Sequence, residues 1–515
     1  MRVVTGTEMK EIDRRAGEEF DVASAVLMEN AGKAIALKVD SELASLGAGE
    51  VAIVAGAGNN GGDGFVAARH LHETGHPVKV IVLADEKSFS GNAAANLKKL
   101  SGLLEPVFNP DKESTKSVLA DADVIVDAIF GTGFKGKAPE EVAAAICVIN
   151  CSDAYVMAVD IPSGVEADTG KVGGAVVEAE ETITFGLPKL GCVVYPGAAY
   201  AGRLSVVDIG FPHELIDRAG RLEMLEPKDI ASFLPDRSPQ SYKQSVGRVL
   251  VVAGSVGMTG AAALCAQAAL KSGAGIVTLA CPASLNDILE AKLTEVMTYP
   301  LPETEGRTLA LDAAPEVLNL LKDFDILVLG PGLSGNAETV GAIRQIAENS
   351  QTPLVLDADG INALAGLPEL LHNRQGETII TPHPGELARI CGGDAKAVLT
   401  DRLAKVADAA KDTHSVTVLK GARSIIAGPD GDLTINPTGN SGLASAGTGD
   451  VLAGMIGGLW AQHMRQYNAA VAGVFIHGLA GDLAVQDRTI YSLTALDVIE
   501  YLPEAFSAVL ETLAE

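Results

Sequence analysis

The stretch Asn436–Gly458, N-P-T-G-N-S-G-L-A-S-A-G-T-G-D-V-L-A-G-M-I-G-G, decides the reading of the chain. Up to Gly449 it is a loop of small residues; from Val451 the apolar residues recur at helical spacing. Loop glycines let backbone N–H groups turn inward, and a helix N-terminus adds partial positive charge. Such a junction is an anion site, and phosphate is its usual occupant. Asp450 sits where the helix starts. A carboxylate there can take a proton from a hydroxyl while the amides hold the phosphoryl group being attacked. The competing reading is a plain helix cap and a plain turn, but capping needs one polar residue and no string of glycines.

Outward from this stretch the second half alternates buried strands with helices. R-V-L-V-V-A-G (248–254), I-V-T-L-A (276–280), D-I-L-V-L-G (325–330), P-L-V-L-D (353–357), T-I-I-T (378–381) and V-T-V-L-K-G (416–421) read as strands. Helices are expected over Ala261–Lys271, Ala337–Glu348 and Thr400–Lys411. The order is that of a βαβ sheet. G-P-G-L (330–333) can pass backbone close to a ligand, and T-P-H-P-G-E (381–386) holds His383 rigid and exposed between two prolines. L-K-G-A-R-S (419–424) sets Lys420 and Arg423 after a strand, where they suit phosphate or an adenine face. His477, in an apolar helix, reads as core, and Trp460 as packing.

The first half has the same character. Helices are expected over Thr7–Phe20, with Thr7 as N-cap, and over Ala25–Leu46. V-A-I-V-A (51–55) is a short buried strand running into G-A-G-N-N-G-G-D-G (56–64), with a helix from about Phe65 to Thr74. Gly56, Gly58 and Gly61 satisfy a dinucleotide-binding G-x-G-x-x-G, and Asp85 stands where a ribose contact would fall. Alone that pattern is weak. Two more loops join it: V-I-V-D-A-I-F-G-T-G-F-K-G-K (124–137) and V-M-A-V-D-I-P-S-G-V (156–165), each a strand ending in an acid and then a glycine turn. In a parallel sheet all three lie beyond the carboxyl ends of strands, where such folds bind ligands. Asn60, Asp127 and Ser163 offer hard oxygen donors with one formal charge among them, suited to a hard cation. Lys135, Lys137 and the amides of 131–137 can hold phosphates.

The 515 residues exceed one ordinary core, so two domains are expected. The charged, proline-bearing segment from Pro212 to Val246 holds the joint, giving domains of 1–217 and 223–515. A net charge of −27 argues against nucleic acid or a membrane surface as partner. No apolar run reads as membrane-spanning, the first residues do not resemble a signal peptide, and six cysteines without C-x-x-C spacing suit a reducing cytoplasm. A homo-oligomer is expected.

The G-T-G-D segment (447–450) resembles that of the ribokinase-like superfamily, whose Asp is the catalytic base. The longer N-S-G-L-A-S-A-G-T-G-D is similar to the dehydratases that repair hydrated nicotinamide dinucleotides, and the N-N-x-G-D loop resembles the NAD(P)H-hydrate epimerases. The resemblance spans almost the whole chain. It implies an α/β protein: an N-terminal Rossmann-like αβα sandwich followed by a C-terminal ribokinase-like α/β domain. It implies that the first half interconverts the epimers of NADHX or NADPHX, with Asp160 as catalytic acid–base. The substrate would lie against Asn59, Asn60, Gly61, Gly62 and Asp63 and against Gly131, Thr132, Gly133, Phe134, Lys135, Gly136 and Lys137. Potassium would sit on Asn60, Asp127 and Ser163. In the second half Ala261, Gly332, His383 and Asp450 would contact the hydrated dinucleotide. Lys420, Gly421, Ala422, Arg423, Ser424 and Gly449 would contact ADP, which arrives with Mg2+. Three rivals stay open on the residues alone: a vitamin or sugar kinase, a nucleotide-sensing protein without catalysis, and a plain dehydrogenase.

Overall fold

Val51–Ala55 is a run of five buried apolar residues and forms strand β1 of a seven-stranded sheet. The computed structural model describes residues 1–47 and 49–513 and divides into two units, Met1–Leu222 and Glu223–Glu515. In the first unit β2 (Val78–Val82), β3 (Val107–Phe108), β4 (Val124–Ala128), β5 (Tyr155–Val159), β6 (Glu181–Phe185) and β7 (Arg203–Val207) follow. They lie in the order β3-β2-β1-β4-β5-β6-β7, and every neighbouring pair is parallel. The chain builds outward from β1 to β3, then returns to the other side of β1 at β4. The carboxyl ends of β1 and β4 are therefore the topological switch point, where such sheets leave a crevice.

Two local expectations for this unit are corrected. The first helix spans Gly6–Phe20, and its cap is Thr5, not Thr7. A capping box needs an acid three residues on. From Thr5 that residue is Glu8, which takes the Thr5 N–H at 2.8 Å; from Thr7 it would be Lys10. The Thr7 N–H instead donates to Asp168 at 3.0 Å. The helix expected from Phe65 starts at Asn59, so N-N-G-G-D-G is its first turns and no loop. The glycines permit close approach: a Cβ on Gly61 would stand 1.9 Å from the Gly56 carbonyl oxygen, and one on Gly64 2.7 Å from the Ala128 Cβ. Gly61→Ala should therefore cost about 1–3 kcal/mol, because backbone must move. Thermal unfolding of the variant should show an earlier loss of the first unit while the second melts as before.

In the second unit the strands β8 (Arg248–Val252), β9 (Ile276–Pro282), β10 (Met297–Leu301), β11 (Ile326–Leu329), β12 (Leu354–Leu356), β13 (Thr378–Ile380) and β14 (Val416–Leu419) are joined in parallel. An antiparallel pair, β15 (Ile425–Ala427) and β16 (Leu433–Ile435), extends the β14 side. The order β16-β15-β14-β13-β12-β11-β8-β9-β10 places this unit's switch point between β8 and β11. The helix read from Val451 begins three residues earlier and spans Thr448–Trp460. Its glycines let it lie against the helix Thr259–Lys271: a Cβ on Gly454 would stand 2.0 Å from the Cys265 carbonyl oxygen, and one on Gly458 2.2 Å from that of Ala269. The expectation that no apolar run could cross a membrane also needs correction. The 22-residue helix Gln466–Asp487 contains an 18-residue window of mean hydropathy 1.4, long and apolar enough, but 72% of that window is buried within the unit's core.

Candidate functional site

A cavity of about 820 Å³ opens at the switch point of the first unit. Asn59, Asn60 and Asp63 reach it from the helix Asn59–Glu73, and Gly131 to Lys135 and Lys137 from the loop after β4. Gly61 and Gly62 do not line it; they pack behind, where a Gly62 Cβ would meet the Met28 side chain at 2.7 Å. Gly136 turns away with φ +83, its N–H donating to Glu166 at 3.0 Å. Asp85, offered as a ribose contact, accepts from the Asn109 amide at 3.2 Å and is outside the cavity lining.

Asp127 and Ser163 are fully buried beneath this loop. Ser163 Oγ donates to Asp127 Oδ1 at 2.6 Å and accepts the Phe130 N–H at 2.8 Å. Asn60 donates its amide to the Phe130 carbonyl at 3.0 Å, which leaves its own carbonyl oxygen for another partner. Asn60 and Ser163 thus meet at Phe130, and Asp127 joins them through Ser163. Burial pushes the Asp127 carboxyl up to about 6 despite the hydrogen bonds from Ser163 and Ile129 that favour its charge. A buried carboxylate without a countercharge is the setting in which a monovalent cation is stabilising.

Asp160 follows β5 with φ +65, a strained conformation for a residue other than glycine. Its carboxylate accepts from Thr184 Oγ1 at 3.1 Å and pairs with Lys189 Nζ at 2.5 Å. Lys189 is 1% exposed and also donates to Thr184 Oγ1 and the Phe185 carbonyl. The N-terminal segment pins its loop, with Val4 N–H bonded to Pro188 O and Leu190 N–H to Val4 O. Sequence reading passed over Lys189; the signal was a lysine between proline and Leu-Gly just past a strand. Asp13, from the first helix, lines the same cavity and was passed over too.

In the second unit Gly332, φ +63, and Ala261 meet beyond β11 and β8: a Cβ on Gly332 would lie 3.1 Å from that of Ala261. Ser255 Oγ donates to the Gly332 carbonyl at 2.8 Å and holds the turn. The helix Thr448–Trp460 is capped by Gly447 at φ +94 with no side-chain bond, so Asp450 in the first turn is not the cap. Its carboxyl is pushed up to about 7, by burial first and then by Asp357, Asp359 and Glu386, against the pull of Lys420. Lys420 Nζ pairs with Asp357 at 2.7 Å and stands 3.5 Å from where a Gly449 Cβ would be, so the expected nucleotide contacts Lys420 and Gly449 come together. Gly421 at φ +149 and Arg423 at φ +54 turn the chain after Lys420, and Arg402 holds the Ala422 carbonyl at 2.6 Å. Ser424 Oγ closes that turn on the Gly421 carbonyl. His383 caps the helix Pro384–Cys391: its Nδ1 accepts the Gly385 N–H at 3.0 Å, which fixes the proton on Nε2 and aims the ring. Asp357 and Glu386, both buried and neither singled out from sequence, complete the cluster. His477 is core, its Nε2 bonded to the Thr448 carbonyl at 2.9 Å, and burial drops it to about 4.

Two parallel α/β units, one with Asp160 in a cavity at its switch point and one with Asp450 on a glycine-capped helix beside Lys420, have the architecture of a two-centre enzyme that handles nucleotide-bearing substrates. Residues 249–504 match the family model described as NAD(P)H-hydrate dehydratase, and residues 24–191 that described as YjeF-related protein N-terminus. The chain belongs to the bifunctional NAD(P)H-hydrate repair enzymes. It is 45% identical over 509 residues to the bifunctional NAD(P)H-hydrate repair enzyme Nnr of Moorella thermoacetica, covering 98% of this chain and 96% of that protein. The Nnr of Thermofilum pendens is 39% identical over 515 residues, covering 99% and 97%. Among solved structures, the ADP/ATP-dependent NAD(P)H-hydrate dehydratase of Bacillus subtilis, co-crystallised with ATP/Mg2+, aligns at TM-score 0.50 and 31% identity. It covers 56% of this chain and all of its own, and shows that the second unit has the dehydratase fold.

Proposed function

We propose that this chain returns hydrated NADH and NADPH to the active coenzymes in two steps, one in each unit. The first unit interconverts the epimers at the hydroxyl-bearing ring carbon, with Asp160 moving protons and a potassium ion on Asn60, Asp127 and Ser163 bracing the loop over the substrate. The second unit dehydrates the S epimer. Asp450 deprotonates the ring hydroxyl, whose oxygen attacks the terminal phosphate of ADP and releases AMP. The phosphate then departs with the ring oxygen while the adjacent carbon gives up a proton. Phosphate is a far better leaving group than hydroxide, which is why a dehydration should consume a nucleotide. Mg2+ would travel with the phosphates and neutralise charge there. The surplus of negative charge on Asp357, Asp359 and Glu386 over Lys420 suits a cation brought in by the phosphates, since the described residues hold no cluster of three carboxylates able to bind a metal on their own.

The observation that carries this reading is Asp450 itself, half-buried on the first turn of a glycine-capped helix beside Lys420. A cytosolic location agrees with six free cysteines. Incubation with (S)-hydrated NADH should restore NADH absorbance with ADP, yield AMP and phosphate, and do nothing without a nucleotide. Accumulation of a phosphorylated product would make it a kinase instead. With the R epimer, replacing K+ by a bulky organic cation should slow epimerisation at least about tenfold while dehydration of the S epimer is unaffected; equal rates would remove the ion from the site.

A further inference from the structure

The first unit's cavity holds more proton-carrying groups than Asp160 accounts for. Asp13, from the helix Gly6–Phe20, and Asp63, from the helix Asn59–Glu73, line it together with Asp160 and Lys189. Of the three carboxyls only Asp160 bonds the Lys189 ammonium, while Asp13 and Asp63 feel its charge. Lys189 is committed by hydrogen bonds to Asp160, Thr184 and Phe185. No hydrogen bond or ion pair occupies the Asp13 carboxyl among the described residues, and it opens directly onto the cavity.

Epimerisation at this carbon needs two such groups. The hydroxyl-bearing carbon is bonded to the ring nitrogen, so the hydroxyl departs as water once an acid protonates it, and the nitrogen lone pair forms a C=N bond as the C–O bond breaks. Water then adds to the opposite face, the C=N electrons return to nitrogen, and the added water gives a proton to a base. One water leaves, one enters, and one proton passes from acid to base. We infer that Asp13 is the second catalytic carboxyl of the first unit, protonating the departing hydroxyl while Asp160 takes the proton from the incoming water. In the reverse direction the two exchange roles, and solvent restores their protons otherwise. This rests on the epimerase reading of the site.

The electrostatics agree with the division of labour. Asp13 has an exposed surface, but where it lines the cavity the surrounding protein and the Asp160 charge push its carboxyl up to about 6, with Lys189 pulling the other way, so it can both hold and release a proton near neutrality. Asp63 is likewise pushed up, by burial first and then by the charges of Asp160 and Asp13, with Lys189 pulling the other way. The other charged groups lining the cavity are Lys10 on Asp13's own helix and Lys135 and Lys137 from the loop after β4.

The test uses the full chain with Asp13→Asn, Asp13→Glu and Asp160→Asn, following loss of the R epimer by chromatography and ADP-dependent dehydration of the S epimer as the control. Asp13→Asn should lower the epimerisation kcat about 100-fold or more with KM little changed and dehydration intact. The wild-type profile should fall as pH rises through about 6, where the acid loses its proton. Asp13→Asn should lack that limb, and Asp13→Glu should recover part of the rate with the limb displaced. Wild-type epimerisation by Asp13→Asn, or an unchanged limb in Asp13→Glu, overturns the role of Asp13. If Asp160→Asn also epimerises normally, the reading of the whole site falls with it.

Discussion

Asp450→Asn should abolish ADP-dependent dehydration, by about a thousandfold or more, and at the same time make the protein more stable at neutral and alkaline pH. The activity loss follows from removing the group that takes the hydroxyl proton, since an amide cannot accept it. The gain in stability follows from the carboxyl's setting. In the folded protein it titrates at about 7, because burial and the charges of Asp357, Asp359 and Glu386 outweigh Lys420. In the unfolded chain it titrates near the ordinary aspartate value, so between about pH 4 and about pH 7 the native state binds a proton that the unfolded state does not. Native stability therefore falls as pH rises through that window, and the deficit is complete above it. An asparagine carries no such deficit, which amounts to roughly 2–4 kcal/mol. Thermal unfolding at about pH 8 should show a raised transition for the second unit, and near pH 4 the variant and wild type should coincide. Epimerisation should be untouched. A variant that still dehydrates, or that is destabilised at alkaline pH, would show that Asp450 is neither the base nor strained by its site.

Lys189→Met should be the most damaging single change in the first unit. Methionine keeps the volume but removes donors to Asp160, Thr184 and the Phe185 carbonyl, at 2.5, 3.1 and 2.9 Å. Breaking a buried pair strands the remaining charge, a loss of about 3–5 kcal/mol when both partners are enclosed. The Asp160 side chain is 14% exposed, so water recovers part of this and about 3 kcal/mol is expected. The first unit's transition should drop, the second's should stay, and epimerisation should fall steeply while dehydration continues. Equal stability in Lys189→Met and wild type would mean that the ammonium is not held as the hydrogen bonds place it.

Much of both sites was legible because strand-end loops in parallel sheets face one edge whatever the rest of the chain does. Asp160 was read from the end of the apolar strand 155–159, and Asp450 from the small-residue loop that opens a helix. Asn60, Asp127 and Ser163 could be grouped from chemistry before the contacts that join them through Phe130 and Ser163 were visible. The cap was misread as Thr7, although the T-x-x-E that marks Thr5 is written in the chain. Lys189 and Asp13 were not legible. A lysine after a proline and an aspartate on an amphipathic helix normally face water; Lys189 is buried by Val4 pairing across it, and Asp13, still exposed on one side, reaches the cavity because the first helix lines it.

The chain alone thus determined two α/β units, their glycine turns and the aspartates Asp160 and Asp450, because strand period and glycine spacing are local properties. Only the tertiary structure decided that the N-N-G-G-D-G segment is helix and that Asp357 and Glu386 crowd Asp450. It also decided that the buried Lys189 pairs with Asp160 and acts on Asp13 and Asp63 through its charge. Those are long-range matters: the charge state of a side chain depends on neighbours that the fold brings from far along the chain, and spacing along that chain carries no record of them.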